Sequence, residues 1–153
     1  MSQEATMPIE IRPVGHGEFF PWHAVYTGYA EFYETPLNDE KAVLVWSWII
    51  DDANEVECLV AVDGDEVVGL AHFRGFARPL AGSRGLYIDD LFVVPERRGQ
   101  GIATSLIEAV ATIGRQRGAS VVRWITAKDN ETARSLYKTV ADKTHWVTYD
   151  KAL

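Results

Sequence analysis

The sequence predicts a single α/β (α+β) domain, residues 1–153, in which helices cover both faces of a mixed β-sheet. The length of 153 residues suits about one domain of roughly 100–200 residues. Apolar residues recur at helical spacing in some segments and alternate with polar residues in others. Two consecutive strands joined by a tight turn precede strand–helix–strand units, a combination typical of a mixed sheet between helices.

The N-terminal third predicts one strand and two helices. Ile9–Val14 alternates apolar and polar residues, as a half-buried strand does. From Glu18 to Tyr33, aromatic and aliphatic residues repeat at helical spacing. Asn38 is the expected cap of a second helix that runs from Asp39 to about Asp51.

The remaining two thirds predict five strands and two helices. Glu57–Val62 and Glu66–Phe76 form a hairpin around an Asp-Gly-Asp turn, and Leu86–Val94 is the most strand-like run in the chain. The next helix has an apolar face and ends at a glycine; its residues are Ile102, Leu106, Val110, Ile113 and Gly118. A strand, a helix and a last strand follow, over Val121–Thr126, Asn130–Val140 and His145–Tyr149. The predicted order is β-α-α-β-β-β-α-β-α-β.

Composition and charge exclude several classes of protein. Hydrophobic residues make up 47% and charged residues 24%, which is typical of a soluble globular domain. The net charge of −7 disfavours nucleic acid as a partner and mildly favours cationic substrates. The N-terminus has no secretory signal, and no apolar run reaches the roughly 20 residues that span a bilayer. We therefore expect a cytoplasmic protein with no membrane partner.

The cysteine and the histidines predict no metal site. Cys58 is the only cysteine, which excludes an internal disulfide and a CxxC site, and its place inside a strand favours an inert core residue. The four histidines lack the spacing of metal ligands and are interpreted as structural or surface residues; they are His16, His23, His72 and His145.

A glycine-rich turn between the strand ending at Val94 and the next helix carries the chemical signal. Gly99 and Gly101 let backbone N–H groups approach a ligand, and the helix that begins there directs its positive end to the same point. This predicts an anion site suited to a pyrophosphate. The turn lacks both the Walker A and the GxGxxG pattern, and the glycines alone are equally compatible with a purely structural turn.

The residues around this turn resemble the GNAT (GCN5-related N-acetyltransferase) family. Arg98–Ala103 fits its Arg/Gln-x-x-Gly-x-Gly/Ala signature, after an acidic and apolar strand, Asp89–Val93, and a proline. Asn130 and Tyr137 match the motif that follows the fifth strand. The resemblance covers Glu57–Tyr149 well and the N-terminal helices loosely. Within the family, the chain is most similar to diamine, polyamine and thialysine acetyltransferases and Hpa2-type enzymes.

The resemblance implies a mostly antiparallel, twisted sheet and transfer of an acetyl group from acetyl-CoA to an amine. It places the pantetheine arm in a gap between the fourth and fifth strands and the pyrophosphate on the glycine turn. The residues that it assigns to acetyl-CoA are Leu91, Phe92, Val93, Arg98, Gly99, Gln100, Gly101, Ile102, Ala103, Thr104, Asn130 and Tyr137. The usual glycine-phenylalanine pair after the tyrosine is missing, and the chain reads Thr139–Lys143 there.

Three residues are candidates for catalysis. Tyr137 would protonate the leaving thiolate, although a core tyrosine is the alternative. Asp89 and Asp90 would attract the amine or accept its proton, although a solvated carboxylate is the alternative. Neighbouring strand residues point to opposite faces unless a bulge intervenes. Asn130 can also be a helix cap.

The function that the sequence predicts is an N-acetyltransferase acting on the primary amine of a small, cationic molecule, such as a polyamine, a diamine or an amino acid. The acetyl group would pass directly from acetyl-CoA in a ternary complex, without a metal. A protein or peptide N-acetyltransferase and a non-catalytic acyl-CoA-binding regulatory module are the alternatives. A homodimer is compatible with each of them.

Overall fold

The structure is a computed structural model that describes residues 8–153. It contains a five-stranded sheet, four α-helices and one short 3-10 turn. The strands are β1 (Glu10–Pro13), β2 (Glu57–Asp63), β3 (Glu66–Arg78), β4 (Ser83–Val93) and β5 (Ala119–Arg123). The helices are α1 (Phe19–Phe32), α2 (Asp39–Ile49), α3 (Ile102–Gln116) and α4 (Glu131–Tyr137), and the 3-10 turn is Pro95–Arg97. The predicted α/β class is confirmed.

The sheet is mixed and mostly antiparallel, as predicted. Its strands lie in the order β1-β2-β3-β4-β5, and the first four pair antiparallel in sequence. β5 pairs parallel to β4, so α3 is the crossover between them.

Helices pack on both faces because successive strand residues point to opposite sides of the sheet. α3 covers one face, where Leu106 and Val110 contact side chains such as Phe73 and Ile88. α1 and α2 cover the other face, where Trp22 and Trp46 pack against a second set of strand residues. In the described part of the chain, no helix is long and apolar enough to cross a membrane.

Two polar contacts fix the ends of the N-terminal helices. The Asn38 side chain accepts a hydrogen bond from the Lys41 N–H at 2.8 Å, which confirms the predicted cap of α2. Glu18, just before α1, binds both terminal nitrogens of Arg12 at 2.6 and 2.9 Å and accepts from the Gly15 N–H at 2.7 Å. Arg12 hydrogen bonding lowers the pKa of Glu18 to about 2. This carboxylate therefore ties β1 to the start of α1.

The predicted last strand, His145–Tyr149, is wrong in this structure. After α4 the described residues form neither helix nor strand, so the order ends β-α-β-α. Trp146 and Tyr149 are mostly exposed instead of packed on the sheet. The alternation of apolar and polar residues is typical of a strand, but a strand also needs a hydrogen-bonded partner. Among the described strands, none pairs with the outer side of the short β5.

Candidate active site

A gap opens between β4 and β5 where their pairing ends. The last paired residues are Tyr87 and Arg123, yet β4 continues through Ile88–Val93. Within residues 8–153, the backbone groups of this segment that point away from β3 therefore have no partner strand. Leu91, Phe92 and Val93, predicted to bind the acyl-CoA arm, all lie in it.

A β-bulge lies at the start of this gap. His72 pairs with Asp90, but the next residue of β3, Phe73, pairs with Ile88, so Asp89 is an extra residue in β4. His72 and Arg74 are two apart on β3 and share one face of the sheet. Because Asp90 binds His72 and Asp89 binds Arg74, both carboxylates lie on that face. The bulge thus resolves the alternative that the sequence left open.

The two carboxylates have different surroundings. Asp90 Oδ2 lies 2.8 Å from His72 Nδ1 and accepts a hydrogen bond from the Tyr26 hydroxyl at 3.1 Å. Asp89 accepts from Arg74 Nε at 3.0 Å, and 35% of its side chain is exposed.

These surroundings move the two pKa values in opposite directions. Burial raises the pKa of Asp89 and outweighs Arg74, which lowers it. Burial also acts to raise the pKa of Asp90, but hydrogen bonds from His72 and the tyrosines Tyr29 and Tyr26 outweigh burial and lower it. Asp89 is therefore the carboxylate that takes up a proton more readily.

The glycine turn leads directly into the N-terminus of α3. Gly99 and Gly101 have φ angles of 78° and 79°, a left-handed conformation that favours glycine. Gly101 is the cap residue of α3 and supplies no side-chain hydrogen bond, so the first N–H groups of the helix stay open to a ligand. These groups belong to the predicted pyrophosphate residues Ile102, Ala103 and Thr104.

Arg98 connects the glycine turn to the end of β4. Its Nε donates to the Val93 carbonyl at 3.1 Å, and its guanidinium lies 5.3 Å from the ring centres of both Phe32 and Phe92. Gln100 accepts from Arg97 at 3.3 Å. Two arginines thus precede the N-terminus of α3, an arrangement suited to a phosphate group, and Arg97 also forms an ion pair with Asp63 at 2.7 Å.

The far side of the gap is formed by the residues after β5 and by α4. Tyr137 is half-buried and packs edge-to-face on Trp124, with ring centres 5.3 Å apart. Burial raises the pKa of Tyr137, and Tyr33 at the end of α1 raises it further. The phenol therefore stays protonated at neutral pH. Asn130 caps α4 by accepting from the Ala133 N–H at 3.4 Å, so the alternative role as a cap is realised.

One buried polar atom suggests that the gap receives a polar ligand. Thr126 lies three residues past the last paired residue of β5, and its Oγ1 is the only buried side-chain polar atom without a partner in the described part of the chain. Buried hydroxyls rarely remain unpaired unless a ligand or water completes them. The open β4 backbone, this hydroxyl and the glycine turn together fit an extended amide-rich arm that ends in a pyrophosphate.

Three of these contacts were missed by reading the sequence. His72 is buried beside Asp90, Arg74 binds Asp89, and Thr126, just past β5, has a buried hydroxyl without a partner in the described part of the chain. A single histidine, arginine or threonine has no local sequence pattern that predicts a polar contact at an active site. Within residues 8–153, no group of three or more His, Cys, Asp or Glu side chains is placed to hold a metal ion.

A polar cleft of about 470 Å³ lies away from these residues. It is lined by residues such as Asp52, Glu57, Arg84 and Arg117, and it includes no predicted site residue. The candidate active site is therefore the open gap beside β4 and not this cleft.

Comparisons with known proteins identify the family of this chain. Residues 22–141 match the model of the "Acetyltransferase (GNAT) family". The D-amino-acid N-acetyltransferase HPA3 of Saccharomyces cerevisiae is 28% identical over 132 residues, which cover 85% of this chain and 82% of HPA3. N-alpha-acetyltransferase 30 of Schizosaccharomyces pombe is 30% identical over 116 residues, or 76% of each chain.

Two further matches concern a segment and the fold. The thialysine N-epsilon-acetyltransferase of Sus scrofa is 40% identical over 57 residues, only 37% of this chain and 34% of its own. The aminoglycoside N-acetyltransferase AAC(6')-Iy in complex with CoA superimposes with a TM-score of 0.81 at 17% identity, covering 95% of each chain. The family match covers most of the chain, and the chain belongs to the GNAT family of acetyl-CoA-dependent N-acetyltransferases.

Proposed function

We propose that this protein transfers the acetyl group of acetyl-CoA to the primary amine of a small cationic molecule: a diamine, a polyamine or a cationic amino acid. The observation that carries the proposal is the pair of carboxylates, Asp89 and Asp90, that the β4 bulge turns to one face beside the gap. With one guanidinium, Arg74, beside them, two carboxylates leave a net negative charge at the point where an amine would approach. Such a charge attracts a cation in a partly desolvated site.

Acetyl-CoA supplies an activated thioester, and the residues of the chain bind it and move protons. Open backbone N–H groups of Leu91–Val93 and of the glycine turn would hold its carbonyl, pantetheine and pyrophosphate groups. The proposal assigns proton removal from the ammonium to a carboxylate at the bulge, directly or through water. The free amine then attacks the thioester carbon.

In the transfer step, Tyr137 supplies the proton that the departing CoA thiolate needs. The carboxylate first releases to solvent the proton that it took from the ammonium. A C–N bond then forms as the C–S bond breaks, the nitrogen loses its second proton to the same carboxylate, and the departing thiolate takes the Tyr137 hydroxyl proton. The phenolate then regains a proton from solvent. A tyrosine with a pKa of about 10 or above is protonated at neutral pH, as the donor to the departing thiolate must be. No covalent acyl-enzyme is required.

A panel of amines assayed by release of free CoA thiol tests the proposal. Diamines and lysine-like amino acids should be better substrates than neutral or acidic amines. Asp89→Asn should raise KM for a diamine about tenfold more than for a monoamine. The second ammonium of a diamine, about 5 Å from a carboxylate in a site of effective dielectric about 20, gains up to ~3 kcal/mol of attraction, and exposure to solvent reduces this energy to roughly half. Asp65→Asn, in the exposed turn between β2 and β3, is the matched control. A kcat/KM for acidic amines equal to that for diamines would refute the proposal of a cationic substrate.

Acetylation of a peptide α-amine is the second candidate, because N-alpha-acetyltransferase 30 of Schizosaccharomyces pombe resembles this chain over 76% of its length. Adding short peptides with a free N-terminus to the same panel separates the two candidates. A kcat/KM for a peptide above that for every small amine would favour this second function.

A further inference from the structure

A buried polar cluster lies directly behind the bulge, in a region that is otherwise apolar. We call it the His72 cluster; it consists of His72, Trp22, Asp90 and Tyr26. Trp22 Nε1 donates to His72 Nε2 at 2.9 Å, and His72 Nδ1 lies 2.8 Å from Asp90 Oδ2. Trp22 is fully buried and His72 is 2% exposed. A buried histidine held at both ring nitrogens has one arrangement of protons available to it.

The indole of Trp22 determines that arrangement. An indole N–H can only donate, so His72 Nε2 must accept and carries no proton. The single ring proton is then on Nδ1, and it is donated to Asp90. Burial lowers the pKa of His72, while Cys58 and Asp90 raise it overall, an electrostatic effect that by itself would favour the charged ring. The hydrogen bond from Trp22 opposes this effect. A ring protonated at both nitrogens would place two N–H donors against each other at Nε2, so the geometry favours the neutral ring.

Charged and titratable groups approach His72 from every neighbouring element. Asp90 and Asp89 come from β4, Tyr26 and Tyr29 from α1, Cys58 from β2 and Arg74 from its own strand. The Cys58 thiol donates to the Leu59 carbonyl at 3.6 Å. Of these groups, only Asp90 accepts the His72 Nδ1 proton.

We propose that neutral His72 is a positioning residue that anchors Asp90, and through Asp90 the β4 bulge, while Asp90 itself does not accept the substrate proton. The proposal rests on the acetyl transfer proposed above. Asp90 Oδ2 already accepts two hydrogen bonds and its side chain is only 18% exposed, whereas Asp89 is open to solvent. The bulge residue Asp89 is adjacent to this anchor, so a loosened Asp90 would displace the edge of β4 that faces the gap. A Trp22–His72–Asp90 chain thus links α1 to the reacting edge of the sheet.

Two substitutions of His72 separate its two hydrogen bonds. His72→Asn keeps an N–H donor near the position of Nδ1, whereas His72→Gln reaches the position of Nε2 and loses the bond to Asp90. His72→Asn should keep most of kcat, and His72→Gln should lower kcat by about 10²-fold with little change in acetyl-CoA affinity, because small displacements at a reacting centre have effects of this size. Equal kcat values for the two variants, or a greater loss in His72→Asn, would overturn the proposal.

Nitrogen NMR of histidine-labelled protein tests the proton arrangement without any activity. The parent should show His72 with one protonated and one unprotonated ring nitrogen, unchanged between about pH 5 and 8. Trp22→Phe frees Nε2, so the same ring should then titrate, and the pH profile of kcat should gain a step. A doubly protonated His72 in the parent at neutral pH would overturn the proposal. The NMR measurement does not depend on activity. If no amine is acetylated, the proposed function fails, while the spectrum still shows whether His72 is neutral.

Discussion

The placement of the pyrophosphate is tested by Gly101→Val with Gly118→Val as its control. These glycines lie at opposite ends of α3, with φ angles of 79° and 76°, and a Cβ added at either meets nothing within 4 Å. Both substitutions therefore impose similar backbone strain in similarly open space. They differ in position: Gly101 is at the proposed phosphate site and Gly118 is at the far end of the helix.

The expected magnitudes follow from this strain and from ligand linkage. A side chain in the left-handed region costs roughly 1–2 kcal/mol, and a β-branched one somewhat more. For a domain of this size, each kcal/mol lowers Tm by roughly 2–4 °C, so both variants should melt about 2–8 °C below the parent. Acetyl-CoA at about 100 times its Kd stabilises the native state by ~2.7 kcal/mol, which raises Tm by roughly 5–11 °C.

Thermal denaturation with and without acetyl-CoA is the assay. The parent and Gly118→Val should show the full ligand-induced rise in Tm, and Gly101→Val should lose most of it. A full rise in Gly101→Val would refute the assignment of the pyrophosphate to this turn. Loss of the rise in both variants would show that strain in α3, and not position, controls binding.

Three further predictions concern catalysis and stability. Tyr137→Phe should lower kcat by roughly 10²–10⁴ while leaving the acetyl-CoA-induced rise in Tm unchanged. Steady-state kinetics with the best amine measures this effect, and an unchanged kcat would show that Tyr137 is a packing residue. Because the base must be unprotonated and burial raises the pKa of Asp89, kcat/KM should fall with decreasing pH from above the ordinary aspartate range, and Asp89→Asn should remove that limb of the profile. Glu18→Gln should lower the free energy of unfolding by about 1 kcal/mol at neutral pH. That difference in unfolding free energy should vanish as pH falls from 4.5 toward 2, because Glu18, whose pKa is lowered to about 2, stabilises the fold only while its carboxylate is charged. Urea unfolding of both proteins across this pH range measures the difference.

Local patterns in the sequence predict most elements of this fold. The bounds of α2 and its Asn38 cap follow from spacing and side-chain chemistry within one helical turn, and the hairpin of β2 and β3 follows from its short turn. The strand predicted at His145–Tyr149 shows the limit of such patterns. Alternation describes how a strand would sit on a sheet, but pairing depends on residues elsewhere in the chain.

The candidate site also combines features that local patterns predict with features that depend on contacts between distant segments. The glycine turn and Tyr137 are visible in the sequence because their spacing is local. The faces of Asp89 and Asp90 depend on the register between β3 and β4, where one extra residue turns both to one side. The contact of Trp22 with His72 joins residues 50 positions apart, and no local pattern encodes it.

The gap beside β4 combines incomplete hydrogen bonding with a rigid frame. β4 runs past its last pairing with β5, so Ile88–Val93 have no partner strand on that side in the described part of the chain, where the buried Thr126 hydroxyl also lacks a hydrogen-bond partner. Each such group, if buried, costs about 1–3 kcal/mol, so an edge of this kind would ordinarily close or bind another strand. β3 pairs with the opposite side of β4 both before and after the bulge, and in the proposal above the His72 cluster anchors that bulge, so the edge stays open. In the proposed function, an extended ligand with amide groups completes these hydrogen bonds much as a strand would, on a sheet edge that needs little rearrangement to receive it.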